Sequence, residues 1–163
     1  MSSERDWVLT QLGSVVGSTT TPLRRVDRDN ARLLEQNVRS VRGELQEANY
    51  VGATHVDTVE EPMGSQYDLQ REVVVGVRVT GLHHSEWGHI DPDGQEGIQF
   101  SGEGGLVDRC KDALLAERTF PDAAPPDAAY TYLEFQNEAN TSQQYSDFYR
   151  WDADVVFHGE RQL

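Results

Sequence analysis

Residues 72–82 alternate apolar and polar positions. Val73, Val75, Val77 and Val79 fall on one face, and Glu72, Arg78 and Thr80 on the other. A period of two predicts a β-strand buried on one side only. The same period returns over 147–158, where Tyr149, Trp151, Ala153, Val155 and Phe157 oppose Arg150, Asp152 and Asp154. Tyr130–Gln136 predicts the strand before it, and the link Asn137–Tyr145 makes the pair a C-terminal β-hairpin. Residues 50–57 predict a short strand, followed by a polar turn region through Pro62, Gly64 and Ser65.

Two segments carry a helical period instead. Over 3–16, Val8, Leu12, Val15 and Val16 recur at helical spacing behind Ser3 as a cap, and Gly17 and Pro22 close the segment. Over 104–117, Leu106, Val107, Cys110, Leu114 and Leu115 form one stripe, with Asp108, Lys111, Asp112 and Glu117 outside it. Pro121, Pro125 and Pro126 then stop the helix. The order helix, strands, helix, hairpin predicts an α+β fold: a mixed or antiparallel sheet with two amphipathic helices packed on it. The expected organisation is one domain over 1–163, with an N-terminal helix and linker at 1–22, an irregular arm at 23–50 and a long loop at 83–104.

Charge narrows the range of functions. The chain has 28 acidic and 14 basic residues, a net charge of −14, and of the basic residues only Lys111 is not arginine. Such a balance argues against a surface built to grip phosphate backbones. It resembles proteins that work in molar salt, where a Debye length of about 3 Å mutes self-repulsion. No apolar run approaches bilayer length, so no membrane association is expected, and no signal peptide is read at the start. A lone Cys110 excludes an internal disulfide.

Several stretches invite chemistry. His83, His84 and His89, with Glu86, Asp91 and Asp93, offer imidazole and carboxylate ligands for a divalent metal. Their spacing fits neither a metalloprotease helix nor a zinc finger, and adjacent strand residues His83 and His84 would point apart. Asp91–Glu96 departs from a calcium loop, because position twelve is Gly102. Ser101–Gly105 lacks the Gly-Lys-Ser/Thr ending of a phosphate loop. Cys110 lies on an apolar stripe with no histidine nearby in sequence, and reads as a buried thiol. No catalytic set emerges, and no cofactor is expected; a small metal-binding domain using His83–Asp93 stays the alternative from a different class.

The arm differs in kind. Arg24, Arg25, Arg28, Arg32, Arg39 and Arg42 crowd a segment with little core pattern, inside a strongly acidic chain. Two readings stand: pairing with the arm's own Asp27, Asp29, Glu35, Glu44 and Glu47, or docking onto an acidic surface of a neighbouring copy. In the second, the planar guanidinium makes bidentate contacts that outlast screening.

Taken together, Leu23–Asn30, Ala48–Gly52, Val75–Val79, Glu86–Gly94, Leu114–Pro121 and Tyr149–Phe157 resemble a protein of tailed viruses and proviruses of halophilic archaea. With the element order, the resemblance implies a tail terminator. That role is a homo-oligomeric ring, expected as a hexamer, that caps the head-proximal end of the tail tube and joins it to the head connector. Its implied partners are copies of itself, the tail tube protein and the head–tail connector, with genome DNA passing through without specific binding. It implies a place in the neck or tail of the virion, assembled in the host cytoplasm at high salt, and no enzymatic activity. A tube, adaptor or stopper protein is the alternative within the same class. Loops 58–68 and 83–104 are expected to make the axial contacts, with Trp87 and Phe100 as interface anchors.

Overall fold

The alternating valines set the architecture. A computed structural model describes residues 3–13, 15, 25–27, 50–64, 68–83, 90–91, 99–116, 128–140 and 148–162. The elements are α1 (Ser3–Gly13), β1 (Arg25–Asp27), β2 (Tyr50–Pro62), β3 (Asp68–Leu82), α2 (Leu106–Ala116), β4 (Ala128–Asn140) and β5 (Phe148–Gln162). They build one five-stranded sheet in the order β1-β2-β3-β5-β4. The four long strands run antiparallel, while β1 adds three residues parallel to Tyr50–Gly52. The expected α+β class and the C-terminal hairpin are both present.

Val73, Val75, Val77 and Val79 line one face of β3 and are buried, opposite Phe157, Val155, Ala153 and Trp151 of β5. Both helices lie on this face. Trp7, Val8, Leu9 and Leu12 of α1 and Leu106, Cys110 and Leu114 of α2 belong to the same core as the valines. Trp7 meets Phe157 edge-on at 5.6 Å between centroids. Each such buried aliphatic side chain contributes roughly 1.5–3 kcal/mol over its exposed state, which holds the helices down despite the chain's charge.

Several strand boundaries and faces differ from expectation, and irregular register accounts for those in β2 and β4. β2 extends to Pro62 rather than residue 57, so much of the expected loop 58–68 is strand paired with β3. A bulge at Val56 puts His55 opposite Val75 but Asp57 opposite Val74. The extra residue breaks the alternation from which a strand is read. A second bulge in β4 sets Tyr130 opposite Gly159 and Tyr132 opposite His158. Tyr130 is thereby buried and Tyr132 exposed, although residues two apart normally share a face. Within the arm, Arg25–Asp27 is a strand rather than irregular chain.

The helices are shorter than expected. α1 stops at Gly13, and Val15 follows in a turn whose amide donates to the Leu12 carbonyl. Val16 lies outside the described residues. On α2, Leu106, Cys110 and Leu114 are spaced by four and face the core, whereas Leu115, a further 100° around, is exposed. No helix among the described residues is long and apolar enough to cross a membrane.

Cys110 is as buried as the sequence stripe requires, and burial pushes its thiol up to about 12. The thiol is therefore neutral at ordinary pH and shielded from reagents. Mixed with a maleimide at pH 8, the folded protein should label at most slowly, while urea-unfolded protein should label within minutes. Rapid labelling of the folded state would contradict this packing.

Candidate functional site

The sheet has two unlike faces. At one end of the helix-covered face, all four long strands and α1 contribute to a charged network. Arg71 of β3 is its hub: Nε donates to Tyr130 Oη at 2.8 Å, Nη2 to Glu4 Oε1 at 3.2 Å, and Nη1 to Glu60 Oε1. Tyr130 in turn donates to Glu4, and Arg161 Nη1 reaches Glu60 Oε1 at 3.3 Å. Glu4 and Arg71 are only 3% and 8% exposed, so both charges are taken out of water and need each other. Burial pushes the Glu60 carboxyl up, but hydrogen bonds from Arg71 and Arg161 outweigh it and hold it below the usual range. For Tyr130, burial and the bond to Glu4 push the phenol up, keeping it a donor. Glu4 also sits in the first turn of α1, where a negative charge suits the helix dipole. The network fastens α1 to the sheet.

The opposite face carries no helix among the described residues. Register places Glu72, Val74, Gly76 and Arg78 of β3 there, with Asp152, Asp154, Val156 and His158 of β5. Arg78 Nε donates to Asp152 Oδ1 at 2.6 Å, and Arg150 Nε to Oδ2 at 2.9 Å, so this aspartate joins two arginines. Asn137, at φ 52°, donates from Nδ2 to Asp154 Oδ2 at 2.8 Å.

One row crosses the four long strands of this face. It runs Val59 in β2, Glu72 in β3, His158 in β5 and Tyr132 in β4. The Tyr132 and His158 rings stack at 4.5 Å with 16° between planes. His158 Nε2 lies 2.8 Å from Glu134 Oε1, and Nδ1 lies 3.7 Å from Glu72 Oε2. Hydrogen bonds from His158 and then Gln136 hold the Glu134 carboxyl below its ordinary value. With two carboxylates about one imidazole, the patch is negative whichever form the ring takes. Its ends are apolar and exposed: Val59 at 41% and Tyr132 at 54%. Such a surface suits a cationic, planar group better than an anion.

Of the residues singled out from sequence, most lie outside the described part of the chain. Arg24, Arg28, Arg32, Arg39, Arg42, His84, Trp87 and His89 lie outside the described residues, and of Arg25 only the backbone, in β1, is described. His83 forms an isolated bridge to Ile90 and stacks on Tyr149 at 6.1 Å. Phe100 is 2% exposed and stacks on the same Tyr149 ring, at 5.4 Å. It is a core residue rather than the exposed anchor expected, because the chain from Gln99 folds back as the lead-in to α2, whose Leu106 and Val107 amides donate to the Gln99 and Phe100 carbonyls. Among the described residues, no three His, Cys, Asp or Glu side chains gather to hold a metal ion. The Arg71 network and the Val59–Tyr132 row were not anticipated. Both depend on cross-strand register, and their one sequence signal is polar side chains interrupting otherwise alternating strands.

No family model matches the chain, and no curated protein matches it.

Proposed function

We propose that this chain is a structural protein of the neck of a long-tailed archaeal virus, acting as a tail terminator. Copies associate head-to-tail into a closed ring at the head-proximal end of the tail tube. One rim stops tube growth and the other receives the head connector. The observation that carries this reading is a sheet whose described helices, α1 and α2, both pack on one face. The other face carries no helix among the described residues, and the sheet ends in the edge strands β1 and β4.

Physical arguments support the role. A heterologous contact repeated by rotation closes into a ring without further components. A net charge of −14 lets DNA pass an inner wall without releasing counter-ions, so the duplex slides rather than sticks. At the salt concentrations that the composition resembles, repulsion between acidic copies is screened within a few ångströms, and short-range contacts decide assembly. The role needs no bond making and no cofactor.

Sedimentation velocity in 2–3 M KCl tests this reading. The expected result is one discrete multi-copy species that dissociates as salt is lowered. A single chain of 18.3 kDa at every concentration and salt would overturn it.

A further inference from the structure

We propose that the Val59–Glu72–His158–Tyr132 row, with Glu134, is the seat for the arginine-bearing segment 28–42 of a second copy. The proposal rests on the assembly reading above and names the contact that would join neighbours. The row spans three strand spacings, about 14 Å, on the face that carries no helix among the described residues. Its centre offers carboxylates and its β4 end an exposed aromatic ring, the pair of features that holds a guanidinium by hydrogen bonds at its edge and stacking on its plane.

Charge complementarity identifies the occupant. The chain has a single lysine, and Arg28, Arg32, Arg39 and Arg42 concentrate cationic planar groups within fifteen residues of an otherwise acidic sequence. Both hydrogen bonds of Glu134 end on Oε1, which leaves Oε2 directed to no partner among the described residues. Glu72 is 41% and Glu134 43% exposed in their side chains, so an incoming arginine reaches both without displacing the core. In molar salt a long-range field is lost, but a bidentate contact over a stacked ring is made at van der Waals distance and persists.

The polarity of this contact gives a decisive test. Arm and seat lie at different places on one chain, so each copy gives one arm and offers one seat. Two full-length variants, Glu72→Gln with Glu134→Gln (seat) and Arg28→Gln with Arg32→Gln, Arg39→Gln and Arg42→Gln (arm), are compared with the parent by sedimentation velocity in 2–3 M KCl. Circular dichroism confirms that each is folded. Each variant alone should sediment as a single chain. Mixed one to one, they should form a two-chain species and stop there, because only the seat variant's arm and the arm variant's seat are intact. A seat variant that assembles like the parent overturns the proposal while leaving the ring reading in place. Failure of the mixture to pair also overturns it, because arm and seat would then be partners within one chain. A parent that never assembles removes the ring reading itself, and this proposal with it.

Discussion

Replacing Arg71 by Met should lower unfolding stability by about 3–5 kcal/mol, because it takes the buried guanidinium away from both Glu4 and Glu60. Glu4 would lose its cation at 3% exposure, and Glu60 would keep only the longer contact to Arg161. In a domain of this length the melting temperature should fall on the order of 10 °C. The network predicts a specific rescue. Adding Glu4→Gln and Tyr130→Phe to Arg71→Met removes the orphaned charge and its donor together, and should recover a large part of the loss. Urea unfolding in concentrated KCl reads both. A loss under about 1 kcal/mol for Arg71→Met would mean that the guanidinium does not hold α1 to the sheet. The arginine stays charged throughout: burial alone would lower its pKa, but the contacts to Tyr130, Glu60 and Glu4 raise it.

Gly159→Ala should be nearly as damaging, through space rather than charge. A Cβ at this position would lie 2.1 Å from the Ala129 carbonyl oxygen and 2.7 Å from Tyr130 Cα. Both are backbone atoms of β4, so no side-chain rotation relieves the clash. The strands must separate where Tyr130 enters the Arg71 network. Overpacking of this kind costs about 1–3 kcal/mol or more, and the first residues of β4 should lose amide-exchange protection. Gly76→Ala is the control. Its Cβ would meet the Val56 Cγ2 atom at 3.3 Å, a side chain that can yield, and the expected cost is under about 1 kcal/mol. Equal effects from the two substitutions would contradict the close approach of β4 to β5 at Gly159.

How far these features were legible follows from the range of the interactions that make them. Val73–Val79 and Trp151–Phe157 announce their strands because alternation is a local property of the chain. Leu106, Cys110 and Leu114 announce α2 for the same reason. The bulges at Val56 and between Tyr130 and Tyr132 are invisible locally, since an extra residue shows only against its partner strand. Both shape the candidate site: beyond the first, Val59 comes opposite Glu72 and Glu60 opposite Arg71, and the second sends Tyr130 into the charged network and Tyr132 to the open face. Arg71 reads as one more polar residue ahead of a valine strand until Glu4, 67 positions earlier, and Tyr130, 59 positions later, are brought to it. Phe100 shows the opposite failure. An aromatic side chain in a long glycine-rich loop reads as exposed, yet the hydrogen bonds from the start of α2 fold that stretch inward.

The central claim is that the chain works by geometry, as a unit that closes on copies of itself. Electron microscopy of the purified protein in concentrated KCl tests it most directly. The account predicts closed rings of one diameter with an open channel, and no long cylinders. Fields of isolated small particles, or tubes that grow without limit, would contradict it.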